Sequence, residues 1–248
     1  MRMDDSSVEK WQRANEEVRK NLPPGVKLVR TLRGHTGAIG RISWSPDGRM
    51  LASPSVDKTI RLWDTEKGEC LRTLKGHNEA VQVAMFSPTG GILASGGGEQ
   101  PASYTDASIN SDASIRLWDT ASGELVSKFG THVSSVTSLA FDPAGRQMAS
   151  GSFDTSVELW EIDGCKQVGI LGFPTSISDP ESDAIYSLTF DKTGQQLIIG
   201  SKKSGVRFWD PINGRGQIMF SLEGHGYATN VAFDSVGGYW RVEGMTRQ

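Results

Sequence analysis

The stretch DKTIRLWDT at residues 57–65 returns as DASIRLWDT at residues 112–120, with seven of nine positions identical. Weaker copies follow, DTSVELWEI at 154–162 and KSGVRFWDP at 203–211. Self-similarity of this kind limits the fold more sharply than any composition, because it marks a chain built by stacking one small unit repeatedly. Each copy also has an upstream partner. Gly-His occurs at Gly34-His35 and Gly76-His77, Gly-Thr-His ends at His132, and a last Gly-His stands at Gly224-His225. The chain has 4 histidines, and all of them occupy this place.

The spacing is regular. His35 to Ser53, His77 to Ser95 and His132 to Ser150 are each 18 residues apart. His35 to Trp63 and His132 to Trp160 are each 28 apart, whereas His77 to Trp118 is 41. The surplus of 13 lies after Ser95, in GGGEQPASYTDASIN. The fourth unit has no histidine and carries LGFPTSISDPESDA before its first strand. SPDG at 45–48 recurs as SPTG, DPAG and DKTG, each closing on a Gly that can take positive φ without steric cost. TEKGE at 65–69 and TASGE at 120–124 read as turns between units. Short β-rich runs between such signals predict antiparallel strands, four per unit, and an almost entirely β chain after residue 26.

Residues 1–26 differ. Ser6 with Glu9 forms a capping-box pattern, and Val8, Trp11, Val18 and Leu22 fall near one helical face. Pro23-Pro24-Gly25 ends it. The expectation is a short N-terminal helical lead over 1–26 and a repeat domain over 27–248. The lead is read as a helix packed on the main domain, as a connector or partner-binding helix anchored by Trp11, or as a disordered segment.

These residues resemble the WD-repeat β-propeller family over roughly residues 27–234, through Gly-His, an Asp six residues before Trp, and Trp-Asp at matching distances. The resemblance implies blades of four antiparallel strands, each tied by a hydrogen-bonded tetrad of His, Ser or Thr, Asp and Trp. Carried over residue by residue, the tetrads are His35, Ser53, Asp57 and Trp63; His77, Ser95, Asp112 and Trp118; His132, Ser150, Asp154 and Trp160. In the fourth unit Trp209 remains, but Ile199 and Lys203 stand where Ser and Asp belong, so that blade is expected to be looser or differently held. The fold expected is an all-β propeller with four full blades plus a partial fifth, incomplete or open. The last unit opens with Gly224-His225 and ATNVAFDSVGG, then departs at Trp240-Arg241-Val242. In the family the first strand of the chain completes the last blade, which here would be residues 27–33. The chain is read as a fragment of a longer propeller, as a ring completed by self-association through open strand edges, or as a curved open array or small strained ring.

Ser, His and Asp in one unit also invite a hydrolase reading. The set occurs three times, however, and there is no G-x-S-x-G elbow, so no catalytic residue is expected. The histidines lie on different units and Cys70 and Cys165 form no CxxC pair, so no metal site is expected either. GGILASGGGE lacks the Lys-Ser/Thr of a phosphate loop, and no cofactor is expected. With a net charge of −3, nucleic-acid binding is disfavoured. No apolar run approaches membrane-spanning length and the N-terminus has no signal-like core, so a cytoplasmic protein with no membrane partner is the expectation.

Function is therefore expected in loops on the scaffold. The insertions at 96–111 and 172–183 should project from one face, the top, together with the Gly-His loops. Family-like surface positions there are Val56, Ser111, Phe153 and Lys202, and Glu79, Val133 and Tyr227. Tyr104 and Phe173 lie within the insertions. The expected partner is a protein or peptide bound by a scaffold with no chemistry of its own. The alternatives are the sensor or interaction part of a larger signalling protein, a propeller enzyme working through a central channel, and a nucleic-acid binder.

Overall fold

The computed structural model describes residues 16–18, 20–98, 112–130, 132–172, 183–203, 205–211, 218–222, 227–233 and 240–245. The chain divides into two compact units, Met1–Gly34 and His35–Gln248. In the first, Glu16–Val18 and Lys20 are helical, and the Asn21 N–H donates to the Glu17 and Val18 carbonyls. Ser6, Glu9 and Trp11 lie outside the described residues. Residues 27–33, expected as the outer strand of the last blade, form no strand.

The second unit is a series of antiparallel meanders. β1 (Ser43–Trp44), β2 (Met50–Pro54), β3 (Thr59–Asp64) and β4 (Cys70–Lys75) form the first sheet in that order. β5 (Val81–Phe86), β6 (Ile92–Gly97), β7 (Ile115–Asp119) and β8 (Leu125–Phe129) form the second. β9 (Val136–Phe141), β10 (Gln147–Ser152), β11 (Ser156–Glu161) and β12 (Lys166–Gly172) form the third. β13 (Ile185–Phe190), β14 (Leu197–Ser201), β15 (Val206–Trp209) and β16 (Ile218–Leu222) form the fourth. β17 (Tyr227–Phe233) and β18 (Trp240–Met245) make a two-stranded fifth. The four full blades and the partial fifth expected from the repeats are thus present.

The turns follow from their glycines. Gly48, Gly90, Gly145 and Gly194 have φ of 72°, 78°, 69° and 73°. Each donates its N–H to the carbonyl three residues back, Ser45, Ser87, Asp142 and Asp191. A Cβ in that left-handed region meets the backbone, so any other residue would strain the first hairpin of each blade.

Sheet alternation gives every blade two apolar faces, and each cluster of the core lies between consecutive blades. Ala52, Ile60, Leu62 and Leu74 of the first blade pack with Val81, Phe86, Leu93 and Trp118 of the second. Trp160 of the third blade enters the cluster with Leu117 and Ile115 of the second. Trp209 of the fourth packs with Leu159, Val157 and Leu171 of the third. Ala228 and Val231 of β17 complete the cluster of Ile198, Val206 and Phe208. Each of these Trp side chains therefore packs on the blade before its own, so the tetrad positions lie at blade interfaces.

Two positions break this pattern. Ile42 is 53% exposed and Trp44 58%, whereas their repeat equivalents Leu188 and Phe190 are 5% and 6% exposed. The first blade thus shows solvent the apolar face that later blades bury. Its inner strand also leans on the second blade. The Arg41 N–H donates to the Gln82 carbonyl at 2.8 Å, and Arg41 forms a parallel bridge with Val83. Gly40 permits that approach, because a Cβ there would stand 2.3 Å from the Gln82 carbonyl oxygen.

Candidate functional site

Two groups of residues stand out: the polar sets inside the blades, and the end of the blades where the Gly-His loops lie.

In the first blade, His35 Nδ1 is 2.8 Å from Asp57 Oδ2 and His35 Nε2 is 2.8 Å from Ser53 Oγ. The Trp63 indole N–H donates to the same Oγ at 2.7 Å. In the third blade the distances are 3.0 Å for His132–Asp154, 2.8 Å for His132–Ser150 and 3.0 Å for Trp160–Ser150. In the second, Ser95 Oγ is 2.8 Å from His77 Nε2 and accepts from Trp118 at 2.8 Å. His77 Nδ1, however, is 3.6 Å from Asp112. The guanidinium of Arg116 sits on that carboxylate at 3.0 Å instead, with Lys128 Nζ at 3.4 Å. Each Asp also accepts the backbone N–H of the residue after the histidine, at Thr36, Asn78 or Val133. The carboxylate therefore ties the Gly-His loop to the turn between the second and third strands.

The fourth blade is held differently. Asp183 accepts the Lys203 N–H at 2.7 Å and the Arg207 guanidinium at 2.6 Å, both side chains of the ion pair being nearly buried. The carboxylate now comes from the loop before β13 rather than from position 203. Trp209 keeps its packing, but its buried indole nitrogen has no hydrogen-bond partner among the described residues. The third blade has a further departure. Glu158 occupies the register of Arg61, Arg116 and Arg207, and its Oε2 lies 3.5 Å from His132 Nε2, 2% exposed. Spacing alone did not reveal Asp183, Arg207 or Glu158 as parts of these sets. The usable signal was the Arg four residues after the Asp position, present at 116 and 207, and replaced by Glu at 158.

Chemically these sets are closed. Ser95 and Ser150 are 0% exposed, and each Oγ already accepts an indole N–H. A nucleophilic Ser needs room for an electrophile within bonding reach, and Trp118 and Trp160 occupy it.

Electrostatics give the sets a pH signature. Burial pushes Asp57 up, but hydrogen bonds from Thr59, the Thr36 N–H and His35 outweigh it and hold the carboxyl well below its usual range. Burial is likewise outweighed at Asp112 by His77, the Asn78 N–H, Ser114 and Arg116, and at Asp154 by His132 and Ser156. Burial lowers His77, against the pull of Asp112 and with the help of Arg116 and Lys128. All four groups bind protons less readily in the fold than in the unfolded chain, so stability falls as pH falls. The His77 contribution is whole above the unfolded imidazole value of about 6.5 and declines below it. The carboxylate contribution is whole above about 3.9 and declines below that. Urea midpoints are therefore expected to fall modestly from pH 7.5 to 5 and steeply below 4, on the order of the unfolded values above. His77→Gln should flatten the upper limb only.

The loops at one end of the blades are tied in pairs. The N–H groups of Val56, Phe153 and Lys202, in the turns between second and third strands, donate to the carbonyls of Ala38, Ser135 and Ala184, in the loops before the first strands. Of the surface positions expected here, Val56 and Val133 are exposed, and Glu79 is half-buried with Lys58 Nζ at 3.6 Å. Lys202 is half-buried. Phe153 is half-buried and meets Tyr186 edge to face at 5.9 Å. Tyr104, Ser111 and Phe173 lie outside the described residues, as do most of the two insertions and the side chain of Tyr227. Phe153 and Tyr186 border a cavity of about 320 Å³ whose lining includes Gly40, Arg41, Gln82 and Thr137. Below it, between the first strands, lies a cavity of about 700 Å³ that Arg41 shares with Ser138, Ser187 and Asn230. Sequence reasoning passed over Tyr186, because it sits on a first strand rather than at a loop position.

Comparison with known proteins agrees with this architecture. The family model described as WD domain, G-beta repeat matches residues 26–64, 68–119, 123–161 and 174–210. Each match ends on the residue after a blade's Trp. Pre-mRNA-processing factor 17 of Homo sapiens is 28% identical over 137 residues, which is 55% of this chain and 22% of that protein. The WD40 repeat-containing protein HOS15 of Arabidopsis thaliana is 38% identical over 121 residues, 49% of this chain and 19% of that protein. Nuclear distribution protein PAC1 of Arthroderma otae is 29% identical over 144 residues, 54% of this chain and 31% of that protein. The chain thus spans less than a third of the length of these three relatives. No helix among the described residues is long and apolar enough to cross a membrane. With four matched repeats, each ending beside the Trp of one four-stranded blade, the chain belongs to the WD-repeat family.

Proposed function

We propose that this chain is a non-catalytic scaffold that binds a protein or peptide on the blade end carrying the Gly-His loops. The observation that carries the reading is the half-buried Phe153–Tyr186 pair at the rim of a cavity shared between blades. A few residues carry most of the binding energy at interfaces, with Tyr among the types enriched there. The sealed hydroxyls of Ser95 and Ser150 support the absence of Ser-based chemistry. The names of the relatives, a pre-mRNA-processing factor and a nuclear distribution protein among them, are those of factors rather than enzymes. In this reading the His, Ser, Asp and Trp sets are structural, and Val56, Glu79, Phe153 and Lys202 belong to the binding face. Tyr104, Phe173 and Tyr227 are proposed for the same face, and residues 1–26 are proposed as a separate helical lead. A place inside the cell is proposed on the same footing, in the cytoplasm.

A larger setting is favoured by the lengths of the relatives, of which the matched part is a minor share. The same face would then be the interaction part of a longer protein.

Affinity capture with quantitative mass spectrometry tests the face directly. Phe153→Ala with Tyr186→Ala is expected to lose at least about tenfold of specific partner recovery, as removal of an anchor residue does. A control on the opposite turns, Asp47→Ala with Glu66→Ala, should recover the same partners as the unaltered chain. Equal recovery by both variants would refute the assignment of the face.

A further inference from the structure

The chemistry lining the cavity at this face narrows the kind of partner, provided that the Phe153–Tyr186 end is the binding face. Gly40, Gln82, Thr137 and Tyr186 stand at one repeat position on four consecutive blades, and Arg41, Val83, Ser138, Ser187 and Asn230 stand at the next. In these two layers Arg41 is the one charged residue, and the described residues lining both cavities include no Asp or Glu.

Arg41 is also firmly placed. Its backbone is pinned to the second blade through Gln82 and Val83, an approach that the missing side chain of Gly40 permits. Its guanidinium reaches the opposite side of the array of first strands, with Nη1 3.5 Å from Ser187 Oγ of the fourth blade. Arg41 is exposed to solvent, yet protein walls flank its guanidinium closely enough to lower its pKa. A cation inside such walls acts on an incoming anion through a medium less screening than bulk water. The side-chain amide of Gln82, which lines the same cavity, can donate a neutral hydrogen bond to the anion. At the rim, Phe153 and Tyr186 present an apolar edge rather than a second charge. Glu79, on the loop before β5, is already matched by Lys58 Nζ at 3.6 Å.

We infer that this mouth receives an acidic peptide segment, with an Asp or Glu carboxylate held by Arg41 and a neighbouring apolar side chain lodged against Phe153 and Tyr186. Arg suits the role because its planar fork can donate two parallel hydrogen bonds to one carboxylate.

The test uses short fluorescein-labelled peptides and the full chain, read by fluorescence anisotropy. One set carries Leu-Asp and Phe-Glu units between Gly-Ser spacers, a second replaces Asp and Glu by Asn and Gln, and a third replaces them by Lys and Arg. The acidic set is expected to bind about tenfold or more tighter than the amide set, with the advantage shrinking at high salt. Arg41→Gln should erase that advantage, Arg41→Lys should keep part of it, and Phe153→Ala should weaken acidic and amide sets alike. Circular dichroism melts confirm that each variant is folded. Amide or basic peptides that bind as tightly as acidic ones, and lose binding on Phe153→Ala but not on Arg41→Gln, would overturn the carboxylate inference while leaving the face intact. No binding by any set, or binding that ignores both Phe153→Ala and Arg41→Gln, would overturn the inference and count against the face as well.

Discussion

Asp112→Ala is expected to destabilise the chain by about 3–5 kcal/mol, the usual cost of leaving one member of a buried ion pair alone. Asp112 and Arg116 side chains are each 6% exposed. Lys128 is 47% exposed and can turn to water when the carboxylate is gone, but Arg116 cannot. The loss extends beyond charge. The Asn78 N–H and Ser114 hydroxyl would also lose their acceptor, and with them the link between the loop before β5 and the start of β7. Asp112→Asn should cost less, since an amide oxygen still accepts from Asn78. Urea unfolding followed by Trp fluorescence and circular dichroism gives the value, provided both probes coincide.

Asp183→Ala is expected to cost a similar amount, about 3–5 kcal/mol, because it leaves Arg207 buried without its carboxylate. Here a double variant is the sharper test. Asp183→Leu with Arg207→Leu removes both charges, and replacement of a whole buried pair by apolar side chains is often neutral or stabilising by about 1–4 kcal/mol. The double variant should therefore be much more stable than Asp183→Ala. If each single change and the double change cost the same, the pair is not what holds the fourth blade. The contrast also bears on Trp209, whose indole nitrogen already lacks a partner among the described residues. Trp209→Phe should cost less than Trp118→Phe, which leaves Ser95 without its donor.

Much of this fold can be read from short patterns, for identifiable reasons. The hairpins at 45–48 and 87–90 are legible because positive φ at the fourth residue favours Gly. His35 and Ser53 are 18 residues apart in sequence and 2.8 Å apart in space because two antiparallel strands and their loops always use the same length to bring them back. The fourth blade is less legible. Lys203 in place of Asp shows that something is missing, but Asp183 answers from another repeat position, and only the folded loop brings it to the Lys203 N–H. Glu158 reads as a surface residue in DTSVELWEI, and only burial at 2% shows that it faces His132. Exposure of Ile42 and Trp44 is likewise invisible in the sequence, since alternation tells which face a side chain takes and not whether another sheet covers it. Tyr186 follows the same rule: its strand is evident, but its meeting with Phe153 depends on how two blades sit side by side.

The most direct test of the structural role of the His, Ser, Asp and Trp sets is hydrogen exchange of the indole N–H protons, resolved by NMR. Trp63, Trp118 and Trp160 donate to Ser Oγ at 2.7, 2.8 and 3.0 Å, whereas Trp44 is 58% exposed and serves as the internal reference. The three bonded protons should persist long after that of Trp44 has exchanged, with opening free energies near that of global unfolding. Exchange of Trp63, Trp118 and Trp160 as fast as Trp44 under native conditions would contradict the account.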